Sequence, residues 1–353
     1  MIFLVDKWRG VPDYGEIESV LQGILGERVR FGDLVQEAME FGRVGSGRQW
    51  IEGLAELVVK QFRDQGQTIG YLILLILSAA FLSVLAKAFQ SKDISNLGFF
   101  MIYLLLSLIL LKSFGTCYAL AEALVEDLIE FMKVLMPVYL MAVAATSYGV
   151  TSAAYYEVFF LMLYYIQKFV LLVLLPAIRC YVLWNLLSYL GEEDLFFRAR
   201  KLLKKAILVS FRAMLWLMVG VQMVRGMISP SIDEFNHTML SRGISGLGAV
   251  GNVTKNVTDV ILASGVLLKN GIGLVGATLL VIICMIPVVQ MMAYMLFYQV
   301  LSAVSEPVSD GKITALIGNT GDGIGLLVKL MFTICAMFLL TIAVVCVTTG
   351  GML

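Results

Sequence analysis

Long uncharged runs separated by short charged breaks dominate the chain from residue 66 onward. Charge-free stretches cover 66–86, ending at Lys87, then 94–111, ending at Lys112, and 134–156, ending at Glu157. The apolar segments 158–178, 206–228 and 324–347 carry Lys168, Arg212 and Lys329 inside them. The longest run has no Asp, Glu, Lys, Arg or His from Asn270 to Ser305. As a helix it would measure roughly 54 Å at about 1.5 Å per residue, against a hydrocarbon core only about 30 Å thick. Pro287, near its middle, is where such a run kinks, breaks or turns back. Pro176 stands in the same position within the run that ends in "CYVLWNLLSYL". The pattern predicts an all-α, polytopic membrane protein with seven to nine membrane segments, two of them broken at Pro176 and Pro287.

Residues 1–68 differ from the rest. In "RQWIEGLAELVVKQF" the apolar Trp50, Ile51, Leu54, Leu57, Val58 and Phe62 recur at helical spacing, and the glycines of "GRVGSG" separate this stretch from an earlier helix around 15–40. The expected organisation is an N-terminal extramembrane helical region, 1–68, solvated or lying on the membrane, then a multi-span domain, 69–353. The basic loop 191–205, with Arg198, Arg200, Lys201, Lys204 and Lys205, marks a cytoplasmic side. Lys87 and Lys92 mark the same side, which places 1–68 and the acidic linker "AEALVEDLIE" outside. A weak repeat pairs about 97–205 with 206–347, bringing the two prolines into correspondence; broken helices in matching halves are a pointer to a transport pathway.

Composition sharpens this picture. Hydrophobic residues make up 59% of the chain and charged ones 15%, against roughly 25% charged in soluble domains, and the mean hydropathy is +0.89. The formal net charge is zero, so no global field favours nucleic acid, and none is expected as a partner. The five cysteines are scattered, with no CxxC pair, and read as small buried hydrophobes. His237 is the sole histidine, which excludes an HExxH zinc site, and neither a Walker A loop nor a Gly-x-Ser-x-Gly elbow is present. No catalytic constellation and no cofactor are expected. "GLGAVG", with Gly248 and Gly251, matches GxGxxG but lacks the preceding strand of a dinucleotide site; small residues permitting close helix approach fit it better.

The candidate functional positions are therefore ionisable or helix-breaking groups in apolar surroundings: Lys168, Arg212, Lys269, Asn270, Pro176 and Pro287, with Gly248 and Gly251 as structural positions. A charge at mid-membrane costs about 2.5–3.5 kcal/mol on insertion scales and turns to a bundle interior or a polar cavity, unless a lysine near a span end snorkels to the headgroups. Lys168 and Arg212 lie deeper than Lys269 and Lys329. Lys269-Asn270 either anchors a helix end, with Asn270 capping "GIGLVG", or presents a cation and an amide to a pathway.

The segment "GLGAVGNVTKNVTDVILASGVLLKNGIGLVGATLLVIICMIPVVQMMAYMLFYQVLSAVSEPVSD" resembles the signature region of the stage III sporulation protein AE family, in its glycine turn, its "VLLKN-x-x-G" stretch, its proline-centred apolar pair and its Glu-Pro exit. The resemblance extends upstream to about residue 48. It implies a multi-pass subunit in the mother-cell-derived membrane around the forespore, part of a channel or secretion complex required for late forespore gene expression. It also implies partners from the same operon, including a secretion-type ATPase and ring-forming subunits. A self-sufficient small-molecule permease and a non-transporting scaffold are the alternatives. Family members usually begin with a signal sequence; "MIFLVDKW" has too short an apolar run for one, so either there is none or the start is trimmed.

Overall fold

The computed structural model describes residues 92–146, 161–188, 197–245, 249–307 and 309–350, with isolated positions before residue 79; side chains are described mainly within 100–138, 161–188, 197–223 and 271–341. Among these residues there is no strand. Five long helices are present: α1, Lys92–Thr146; α2, Leu161–Leu187, containing a π-turn at Val170–Leu174; α3, Phe197–Ser245; α4, Ala249–Ser305; and α5, Gly311–Gly350. The N-terminal region 1–68, the loop 191–196, Glu157 and Gly248 lie outside the described residues or nearly so.

Among the described residues, four stretches are long and apolar enough to cross a membrane: Phe100–Leu135, Leu161–Leu187, Gly271–Ser305 and Gly311–Thr341. Two boundaries differ from the expectation. The acidic stretch around Glu122–Glu130, expected as a linker between spans, is the middle of α1. Helix α4 runs on through Pro287, so the proline does not interrupt it. The proline cannot donate to the carbonyl of Ile283, but a helix embedded among neighbours tolerates this local loss. Pro176 opens the helical turn that follows the π-turn, so irregularity and proline coincide in α2 alone.

The core forms because each helix repeats large apolar side chains at three- and four-residue intervals. In α1 these are Leu106, Leu110, Phe114, Cys117, Ala121 and Leu124, all fully buried. They pack on Ile272, Leu279, Met291 and Tyr298 of α4 and on Ile324, Leu327 and Met331 of α5. Elsewhere the outer surface is strongly apolar: Leu172, Leu202 and Trp216 are more than two-thirds exposed, as suits side chains that meet lipid.

The helix ends show how the chain turns. Helix α4 stops before Pro307, where Ser305 Oγ donates to the Ser302 carbonyl at 2.9 Å and Ser309 Oγ to the Ser305 carbonyl at 2.8 Å, satisfying carbonyls that the helix leaves open. Asp310 then caps α5, its Oδ1 accepting the Lys312 amide at 2.8 Å. The result is an antiparallel α4–α5 hairpin, in register from Ser302 Oγ on the Thr314 carbonyl at 3.0 Å to Met295 against Gly325.

Candidate functional site: a polar level near the basic end of the bundle

Helix α5 carries "GNTGDGIG", residues 318–325, and these glycines let three other helices, α1, α2 and α4, approach it. A Cβ on Gly318 would stand 2.9 Å from Ser302 Oγ, and one on Gly325 3.1 Å from Met295 Sδ, so this edge belongs to α4. Gly323 faces the other way. A Cβ there would overlap Val182 of α2 and reach Phe114 of α1 at 3.6 Å. Between these edges Asp322 Oδ2 accepts a hydrogen bond from Lys204 Nζ of α3 at 2.9 Å. Small residues at close helix crossings are the usual way for membrane helices to gain contact.

Further polar groups join at the same level. Tyr298 OH of α4 donates to Ser113 Oγ of α1 at 2.5 Å, both buried. The Lys204 ammonium lies 5.8 Å from the centroid of the Tyr181 ring, within cation–π range. One turn earlier, the buried Arg200 donates to Asn185 Oδ1 at 2.9 Å, while Asn185 Nδ2 donates to the Tyr181 carbonyl at 3.0 Å. Burial acts to lower the Lys204 pKa, but the hydrogen bond and charge of Asp322, with Tyr181, outweigh it and the pKa is raised.

Beside this ion pair, on the α4–α5 side, lies an open groove of about 460 Å³, lined by Gln299, Ser302 and Glu306 of α4 and by Thr314, Asn319 and Asp322 of α5, among others. Amides, hydroxyls and two carboxylates along otherwise apolar helices can hold water and solvate a polar or cationic group.

Those expected site residues whose side chains are described fall elsewhere. Lys168 is exposed on α2 with its ammonium 5.8 Å from the Tyr164 ring, which Lys133 of α1 approaches at 6.0 Å. Arg212 is on the exposed face of α3, and Lys329 is exposed on α5. Pro176 and Pro287 are half-buried. Lys269, Asn270 and Gly251 lie within α4, but their surroundings, like Gly248, are outside the described residues. Of the positions whose side chains are described, none lines the groove. Asp322 is the residue that pattern reasoning missed, because it sits just before the apolar run that begins at 324; its signal was a carboxylate amid helical glycines.

Long apolar helices, an apolar girdle and a polar level set within it define an α-helical membrane protein. The family model described as Stage III sporulation protein AE matches residues 29–349, and the chain belongs to that family. Among curated proteins it is similar to Stage III sporulation protein AE of Bacillus subtilis (strain 168), with 23% identity over 342 residues, 96% of this chain and 84% of that protein. No solved structure matches.

Proposed function

We propose that the chain is an integral membrane subunit of the mother cell–forespore channel or secretion complex, lodged in the mother-cell-derived membrane around the forespore. In this reading the further apolar stretches 66–86 and 206–228 cross that membrane in addition to the four described, whereas the run 134–156, which the sequence offers as a separate crossing toward a total of seven to nine, begins inside α1. It works with a cytoplasmic secretion-type ATPase and ring-forming subunits of its operon, because the sequence holds no nucleotide loop of its own. It is not an enzyme. Family membership supports the sporulation setting. The single observation that supports transport is the groove at Asp322, a polar strip on helices whose length and composition suit the bilayer.

The test is efflux of a trapped fluorescent dye from proteoliposomes, with the chain alone and with the ATPase and ring proteins added. Efflux only in the full mixture, reduced by Asp322→Asn, is the expected result. Efflux through the chain alone would make it a permease, and none under either condition, with all subunits assembled, would leave it a scaffold.

A further inference from the structure

Among the described residues, the outer face of α1 differs from those of α2 and α3. From Gly115 to Glu130 its exposed positions are Gly115, Thr116, Ala119 and Ala123, followed by Glu126 and Glu130, with Lys133 and Pro137 beyond them. A Cβ on Gly115 would meet nothing within 4 Å. Large apolar side chains are missing from this strip although they cover α2 and α3, where Leu172, Val173, Trp216 and Leu217 are exposed.

Depth can be compared across the bundle. Gly323 stands against Phe114 of α1, and its neighbour Asp322 holds Lys204 of α3, so Phe114 and Lys204 share a level. Helices α1, α3 and α5 run in the same direction: α1 and α5 both lie antiparallel to α4, and α3 antiparallel to α2. Eight residues further on, about 12 Å deeper, come Glu122 on α1 and Arg212 on α3. Val209 and Trp216, exposed on α3, bracket that level as Ala119 and Ala123 do on α1. The two faces do not touch within one chain, since α1 and α3 have no substantial packing with each other: α1 leans chiefly on α4 and α5, and α3 on α2 and α5.

We propose that the outer face of α1 seats the outer face of α3 from a second copy of the chain, Val209 and Trp216 lying on the shallow strip of Gly115, Ala119 and Ala123, and Arg212 meeting Glu122. Bulk meets flatness, and cation meets carboxylate, at equal depth. Equal depth is what a rotation about the membrane normal requires of two copies inserted the same way. The exposed guanidinium of Arg212 is costly against lipid at the depth of Trp216 and is relieved by pairing with the half-buried Glu122, and small-residue strips allow the close backbone approach that drives helix association in bilayers. A contact of α1 with α1 would instead set Glu126 against Glu126. Because the paired faces differ, the contact is heterologous and propagates from copy to copy into a ring. This proposal does not depend on whether the chain conducts.

The test uses the full-length chain in native membranes with its five cysteines replaced. Under a mild oxidant, Ala119→Cys with Val209→Cys in one chain should give a ladder of interchain disulfides. Either substitution alone should stay monomeric, and the two single variants expressed together should stop at dimers. Glu122→Arg should cut the ladder at least tenfold, and adding Arg212→Glu should restore it. Monomers from the double variant, or dimers from Ala119→Cys alone, would overturn the proposal. Should replacement of the cysteines prevent folding, photobleaching step counts on the unmodified chain in nanodiscs decide the matter: several copies, falling to one with Trp216→Ala, are expected, and a single copy in the unmodified chain would overturn it.

Discussion

Gly323 has the least room of the described glycines, since the position of its absent Cβ is already taken by Val182. Any side chain must push α2 away from α5 or distort α5 itself. Gly323→Ala should therefore cost about 1–3 kcal/mol, the usual range for overpacking a filled core, read as a lower detergent-solubilised melting temperature. Gly115→Ala, with open space around it, should be neutral or slightly stabilising in a monomer, as Gly to Ala usually is within a helix; equal melting temperatures for the two variants would contradict the packing at Gly323. The Lys204–Asp322 pair is different, because both side chains are more than a third exposed. Its loss in Lys204→Met should cost only about 0–1 kcal/mol. With the Lys204 pKa raised in the folded chain, its contribution is complete below the unfolded lysine value of about 10.4 and is lost only as pH rises through the folded value. Stability measured between pH 6 and 9 should thus show no step from this pair. Lys204 and Arg200 mark an orientation in the sequence, but they also do something the sequence does not announce. Each also turns inward to a partner on a neighbouring helix, and no local pattern reveals a partner 118 residues away.

At the scale of the helix, the existence of long apolar elements was legible and their breaks were not. Charge-free runs and capping groups announce helices directly, and the stop at Ser305, with Pro307 and Asp310 behind it, follows from local chemistry. The faces were not legible, because a helix that is apolar nearly all round presents no strong amphipathic stripe; only the placement of glycines such as Gly318 and Gly325 distinguishes the side that meets α4. The acidic residues of α1 signalled a linker because charge usually ends a span, yet nothing at Glu122–Glu130 stops a helix, since Glu is a good helix former and neither Gly nor Pro intervenes. Pro287 sits inside the continuous α4, where a proline costs about 3 kcal/mol relative to Ala in an isolated helix. Pro287→Ala should raise the melting temperature of the solubilised chain. If the weak point also serves the proposed transport, spore yield should fall while membrane abundance holds, and wild-type yield would leave the proline without a mechanical role.

For the molecule as a whole, the hairpin registers gather one set of helix ends together. The starts of α1, α3 and α5 and the finishes of α2 and α4 share one end of the bundle, because α2 pairs with α3 through Asn185 and Arg200, α4 with α5 through Ser302 and Thr314, and α1 with α4 through Ser113 and Tyr298. That end carries Arg198, Lys201 and Lys205, with Lys312 beside the α4–α5 turn. Basic residues close to span ends accumulate on the cytoplasmic side, so the basic segment at the start of α3 and the Ser305–Asp310 turn should face the cytoplasm together, although only the former is strongly basic in sequence. Cysteines introduced at Leu203 and at Ser309 should both be shielded from a membrane-impermeant maleimide in intact cells and both become reactive after permeabilisation, whereas one at Ser46 should react from outside. The informative comparison is between Leu203 and Ser309. If they are labelled from opposite sides, α4 and α5 cannot share the end of the bundle that carries the basic segment; if both react from outside, the bundle stands but its orientation is inverted, and the groove at Asp322 opens away from the cytoplasm.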